Sequence, residues 1–514
     1  MLLLPATICM IYLYVLRPSL AHIRGPSPAS FFLGSTLELY QEQAGETDFR
    51  WQRRYGGIVR FKSILGEDQL LITDAKALRH ILGAPDLYPF QPERRVMSGF
   101  INGKGIAWAC GDAHKRQKRI ILPAFGAPHS ETFLKASKTS AERLCAKWMD
   151  VISETNDERA VVDMYKWLSR ATLDVLGQAA FGVYFGCLDD PNHILVRSYQ
   201  NMINVEIPTR MTERGLEHSK DKRCMLVKGM RSTVVSVAKE LVRKRRDAYA
   251  EGSMGEHEDV DGENKDALGL LVKEYMKDEN EEEILAQVRT LLIGGHETTM
   301  HTLEWALLEL AKKPSVQARM RKEVRQAGAT VRGRDGLWRV TDLEGMAYTV
   351  AVVKEVLRCH CTLPHVYRVA VRDDVVPLAK PIRTGVAVAT EIRIPEGTRI
   401  VGSIAGYNRN PDVWGDDADK FKPDRWTSMS DDEKEAVTVG VYANLLTFLG
   451  GPRACIGWRL ACIFLIEIIS RFEVSLSEKA TRIRKEACGV VAPTVEGEVE
   501  KGVQLPLVIS VVQQ

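Results

Sequence analysis

Apolar residues recur at three-to-four spacing over 133–150, 162–181 and 232–250, which places one apolar stripe on each of three predicted helices. A longer helix is predicted from Glu281, "EEEILAQVRTLLIGGHETTMHTLEWALLELAKKP", with Pro314 to stop it, and another over 345–361. Two stretches alternate instead: "GIVRF" (57–61) and "DQLLIT" (68–73) predict a hairpin pair. Beyond Pro364 the pattern turns strand-like again, in "VYRVAVRDDV" and "EIRIPEGTRIVGSIAGYNRN". A last helix is expected just past Cys455, where "IGWRLACIFLIEIIS" is apolar nearly all round and therefore buried. The acidic stretch 251–266 has nothing to bury and reads as a surface loop. No repeat or composition break divides residues 31–514. The expected fold is mainly α with a smaller β portion, in a single large domain.

The first residues follow another rule. "LLLPATICMIYLYVL" (2–16) carries no charge, and Arg17, His22 and Arg24 follow it. As a helix it reaches about 22 Å, short of the ~30 Å hydrocarbon core of a bilayer. Positive charge after the apolar run favours keeping that side cytosolic. The expectation is a short membrane anchor over 1–20, with a peripheral apolar tail as the alternative, and a Pro/Gly hinge over 21–30.

Charge and cysteine usage narrow the function. Lys plus Arg total 70 against 67 Asp plus Glu, so the net charge of +3 argues against a dedicated nucleic-acid binder. Ten cysteines without a C-x-x-C pair suggest a reduced, cytosol-facing body. Cys359, His360 and Cys361 lack the matching second half of a zinc site.

One cysteine stands apart. Cys455 lies in "TFLGGPRACIGWRLA", behind a Gly-Gly-Pro turn and ahead of the buried run. A helix start at its back would favour a thiolate, and Arg453 offers a cation two residues away. Gly450 and Gly451 remove side chains where something flat could lie against the backbone. A haem with a cysteine axial ligand meets these demands; an inert core cysteine is the plain alternative. In the long helix, "GGHETT" (294–299) sets two glycines mid-helix, each costing about 1 kcal/mol relative to Ala. Close approach of a flat ligand and close helix packing explain them equally well. The Thr298 hydroxyl can bond back to the i−4 carbonyl, and Glu297 beside it makes an acid–alcohol pair suited to moving protons. Glu355 and Arg358, one turn apart, can pair on a helix face.

Phe448, Gly451, Arg453, Cys455 and Gly457 resemble the F-x-x-G-x-R-x-C-x-G signature of the cytochrome P450 family. "GGHETT" is similar to the family's oxygen-activation motif, and Glu355–Arg358 with Pro423 and Arg425 to its E-x-x-R and P-x-R segments. The resemblance covers about 25–510 and is strongest to microsomal, fungal members. It implies the cytochrome P450 fold and a haem whose iron is ligated by Cys455. It also implies proton delivery by Thr298 and Glu297, and a structural charge cluster at Glu355, Arg358 and Arg425. Cofactor contacts would come from His114, Lys118, Arg368, Arg453, Gly295 and Phe448; Lys118 departs from the usual Arg or His. Arg116 and Arg119 would face outward on the electron-entry side.

The implied activity is insertion of one oxygen atom of O2 into a hydrophobic small molecule, for instance in terpenoid-type secondary metabolism. Electrons from NADPH would arrive through a separate NADPH–cytochrome P450 reductase, since no G-x-G-x-x-G or flavin-type segment appears in this sequence. The catalytic domain would be held at the endoplasmic reticulum membrane, facing the cytosol. Alternatives are a reductase-independent haem-thiolate isomerase or dehydratase, and a non-catalytic haem or lipid binder. Apolar pocket walls are expected from Phe90, Phe100, Ile106, Met202 and Val366, which core packing would explain equally well.

Overall fold

The structure is a computed structural model that describes residues 20–30, 32–200, 213–251, 266–275, 280–384, 387–428, 437–457 and 463–512. The expected anchor (but for Leu20), nearly all of the acidic loop, Met202 and the helix start behind Cys455 lie outside the described residues. Helices used below are α1 (Ala75–Gly83), α2 (Gly111–Ile121), α3 (Ala127–Ser153), α4 (Met164–Phe181), α5 (Lys222–Ala250), α6 (Glu281–Lys312), α7 (Ala347–Cys359) and α8 (Ile463–Arg471). The strands are β1 (Ile58–Lys62), β2 (Asp68–Ile72), β3 (Arg159–Asp163), β4 (His365–Val369), β5 (Asp374–Thr384), β6 (Ala387–Ile394), β7 (Arg399–Ser403), β8 (Phe472–Leu476), β9 (Ile483–Cys488), β10 (Val490–Val495) and β11 (Pro506–Val511). The fold is mainly α with a smaller β portion, as the apolar periodicities predict.

The chain forms two compact units that interleave in sequence. The first takes Met1–Arg94, Leu363–Lys420 and Met429–Cys455, and the second takes Arg95–Thr362, Phe421–Ser428 and Ile456–Gln514. In the first unit the predicted hairpin forms with Ile58 opposite Ile72. β7 joins β2 in parallel and β4 closes the sheet, in the order β1-β2-β7-β4. One face buries Trp51, Val59, Phe61, Leu71 and Val401 together. Asp48 lies buried beneath the sheet and accepts from His365 Nε2 at 2.7 Å and Ser403 Oγ at 2.5 Å. β5 and β6 make a separate hairpin. The strand-like pattern expected to run on through "IAGYNRN" stops at Ser403, whose hydroxyl caps a short helix, Ile404–Asn408, by accepting from the Gly406 N–H at 2.8 Å.

The second unit is built around α6. Asn280 caps it by accepting from the Glu283 N–H at 3.3 Å, and Glu281, Glu282 and Glu283 sit at the positive end of its dipole. Pro314 begins the following helix, so α6 stops at Lys312. Leu292, Leu303, Leu307 and Leu310 are fully buried, and α6 packs on α4, α5, α7 and α8. A small sheet, β3-β11-β8, and the β9–β10 hairpin complete this unit.

The predicted charge cluster is assembled in full. Arg358 grips Glu355 with Nε at 2.9 Å and Nη2 at 2.8 Å, and Arg425 Nε adds a bond at 3.1 Å. The sequence did not point to the other two donors, the Lys422 N–H at 2.8 Å and Trp426 Nε1 at 3.0 Å. Glu355 is fully buried, so every lone pair must find its donor within the protein. Removing the carboxylate in Glu355→Ala takes the shared acceptor away from two buried cations. The expected loss is roughly 3–5 kcal/mol of unfolding free energy, read from a denaturant midpoint. An unchanged midpoint would refute the role.

A second buried pair sets a pH limit. His360 Nε2 lies 3.1 Å from Glu309 Oε1, and its ring stacks on Trp305 at 5.1 Å. Burial favours the neutral acid, but the hydrogen bond and charge of His360 outweigh it and hold the Glu309 carboxyl down at about 2, from 4.5. A depressed native pKa gives stability that is complete above about 4.5 and drains away as pH falls towards 2. The stability difference between the protein and Glu309→Gln should therefore shrink across that window in acid titrations of unfolding.

Candidate active site

In the first unit the cysteine loop is shaped by its own backbone. Short 3-10 turns at Leu446–Phe448 and Gly451–Arg453 fold it back, and the Cys455 N–H donates to the Phe448 carbonyl at 2.8 Å. Leu449 takes φ +57° and Gly451 φ +68°. A Cβ on Gly450 would stand 1.9 Å from the Val439 carbonyl oxygen, and one on Gly451 2.5 Å from that of Leu82 in α1. The close approach these glycines permit is to the chain's own carbonyls, which accounts for both of them within the loop's own fold. The Phe448 ring sits edge-on to Tyr442 at 5.9 Å.

Cys455 is exposed, whereas Cys145, Cys187, Cys224, Cys359 and Cys361 are buried. Burial pushes the Cys145 thiol up to about 12, so it is inert at neutral pH. The geometry contradicts the alternative of a core cysteine at position 455. Two cations accompany Cys455 in its unit. Arg368 projects from β4, whose neighbour Phe90 bridges to it through the backbone, and its guanidinium lies 4.1 Å from the centre of the Phe90 ring. The Arg453 guanidinium lies 5.1 Å from the same centre. Phe90 thus serves as a shared platform for two like charges, and this explains its aromatic side chain without a role as a pocket wall. No sequence signal connects Phe90 to Arg368, because sheet topology alone brings them together.

In the second unit α6 carries the acid–alcohol pair. Thr298 Oγ1 donates to the Gly294 carbonyl at 2.6 Å, the expected i−4 bond, and Thr302 repeats it onto Thr298 at 2.8 Å. Burial raises the Glu297 carboxyl above the usual carboxylate range, with the His301 charge pulling the other way. The two glycines divide the explanations between them. A Cβ on Gly295 would meet Leu176 of α4 at 2.8 Å, while one on Gly294 meets nothing within 4 Å. Gly295 is accounted for by helix packing, and the open face belongs to Gly294. His296 is buried and neutral: burial, helped by the His301 charge, brings its ring down to about 3. Its Nε2 lies 3.0 Å from Ser169 Oγ, and the Tyr199 ring packs on it at 4.7 Å.

His114 and Lys118 both stand on α2, His114 buried and Lys118 half-buried. Arg116 is exposed, as expected, but its charge is already matched. Its Nη2 pairs with Glu283 at 2.6 Å, and Tyr275 donates to the same carboxylate at 2.7 Å. Phe100 is fully buried under the Arg231 guanidinium, at 4.9 Å, so packing explains it. The Ile106 N–H donates to Gln287 Oε1 at 3.1 Å, which pins the 103–109 segment to α6. Among the described residues no cluster of three or more His, Cys, Asp or Glu side chains could hold a metal ion. No described helix is long and apolar enough to cross a membrane.

Comparison with known proteins settles the lineage. The family model described as cytochrome P450 matches residues 24–500. "Cytochrome P450 monooxygenase 205" of Postia placenta is 32% identical over 511 residues, covering 95% of this chain and 92% of that protein. "Cytochrome P450 monooxygenase claP" of Ampulloclitocybe clavipes is 33% identical over 484 residues, covering 88% and 84%. Its companion claQ is 30% identical, covering 94% and 92%. With the signature loop, the acid–alcohol helix and the Glu355 cluster all in place, the chain belongs to the cytochrome P450 family, as a monooxygenase of the oxidoreductase class.

Proposed function

We propose that this protein is a membrane-anchored haem-thiolate monooxygenase that inserts one oxygen atom of O2 into a hydrophobic small molecule. Electrons would come from NADPH through a separate NADPH–cytochrome P450 reductase. The observation that carries the reading is the exposed Cys455 thiol in the same unit as two guanidiniums gathered on Phe90. A thiol and paired cations fit the chemistry of an iron macrocycle with two propionates. Cys455 Sγ would ligate the iron, Arg368 and Arg453 would hold propionates, and His114 and Lys118 would add donors from α2. When bound, haem supplies the activation of O2 and the transfer of one oxygen atom.

The protein's own side chains would manage protons. The Thr298 hydroxyl already satisfies the Gly294 carbonyl and keeps both its lone pairs for an incoming donor. Glu297, with its pKa raised by burial, can carry a proton closer to neutral pH than a solvated glutamate. This pair favours oxygen chemistry over a reductase-independent isomerisation, which takes up no protons. The ferrous protein with carbon monoxide should give a thiolate-type Soret band that Cys455→Ser abolishes; a band unchanged in the variant would refute the ligand. Thr298→Ala should keep the band while product per NADPH falls by about 10-fold.

Anchoring at the endoplasmic reticulum membrane rests on the uncharged run 2–16 and the charges after it. Protein lacking residues 1–19 should pass from the microsomal pellet to the high-speed supernatant. If it stays in the pellet, the anchor lies elsewhere.

A further inference from the structure

Helix α6 carries more titratable side chains than an acid–alcohol pair requires. Glu297, His301 and Glu304 stand four and three residues apart, on one face of the helix. His301 is 2% exposed and Glu304 fully buried, with His301 Nδ1 and Glu304 Oε2 2.5 Å apart. The second oxygen, Glu304 Oε1, is buried and has no partner among the described residues. The His301 ring stacks on Tyr165 of α4 at 6.5 Å. Two residues before Tyr165, Asp163 ends β3 with its side chain 20% exposed. It accepts from the Leu505 N–H at 3.0 Å and has Lys166 Nζ at 3.9 Å.

The groups that act on the pair come from two elements. Asp163 and Tyr165 face it from the start of α4, and His296 and Glu297 from its own helix. Burial raises Glu304, with the His301 charge opposing and the Asp163 charge adding. Packing alone gives no reason for such a pair, because two apolar residues would fill the space at no cost in stability.

We propose that Glu304 and His301 form a proton relay from the Asp163 end of the second unit to Glu297. Both are positioning residues for the monooxygenase reaction proposed above, on which this inference rests. A proton taken from water at Asp163 enters at Glu304 Oε1. As it binds, Glu304 Oε2 gives up its own proton to His301 Nδ1, and the ring releases the one on Nε2 to the Glu297 carboxylate. One proton enters and one leaves, and no electrons move.

The test replaces the pair whole. His301→Leu/Glu304→Leu in the haem-loaded protein should keep the carbon monoxide band and a thermal midpoint at or above that of the parent. Product per NADPH should fall by about 10-fold, with the missing electrons recovered as hydrogen peroxide. A second readout needs no turnover. The infrared carbonyl stretch of protonated Glu297, assigned by its loss in Glu297→Gln, should persist to a higher pH, since the His301 charge no longer helps it ionise. A folded double variant with parental coupling and an unmoved infrared band overturns the relay. If the parent itself lacks the thiolate-type band, the haem-thiolate reading fails instead, and the infrared shift still decides whether His301 and Glu297 are coupled.

Discussion

A carboxylate sealed from water must be met by donors on every side, and Glu355 imposes that condition on two stretches of chain. Its donors come from its own helix and from the segment 421–428, which otherwise runs with the other unit in sequence. A hydrophobic contact would tolerate a shift of half an ångström at little cost. Five directed bonds to one buried carboxylate do not, because each loses its energy steeply with angle and distance. The cluster is thus better suited to fixing where α7 and the 421–428 segment meet than to adding net stability.

The same principle, with backbone in place of side chains, governs the cysteine loop. Here the tolerance is set by carbonyl oxygens packed where a Cβ would have to go, at Gly450 and Gly451. The glycines are part of the loop's own fold. The sulfur is presented by a short run of turns closed by the Cys455–Phe448 bond, and the first unit carries it together with Arg368 and Arg453.

How much was legible in the sequence depended on the range of the cause. Helices α3 to α7 and the β1–β2 hairpin follow from periodicity, which is local, and the Thr298–Gly294 bond follows from a four-residue spacing. The Glu355 cluster was legible because its members resemble a family pattern, yet Trp426 and the Lys422 N–H were missed although both lie inside "FKPDRW". Phe90 under two arginines, Arg116 on Glu283, and the Gly295–Leu176 contact were not legible. Each joins residues whose proximity is decided by sheet order or helix packing. The packing of Gly450 and Gly451 was not legible for the same cause, since their neighbours come from Val439 and from α1.

The closure of the cysteine loop on itself bears on how the protein is assembled in time. Residues 446–455 are held by bonds among near neighbours, by two left-handed backbone positions and by packing on α1 within a single unit. Ordering them draws on the folding of that unit, at roughly 1–2 kcal/mol of chain entropy for each residue fixed. A haem bound there, as proposed, would meet a loop already ordered, and its affinity would not be diminished by arranging it. Sequence changes that loosen the turn would then weaken retention of the prosthetic group while leaving Cys455 itself intact.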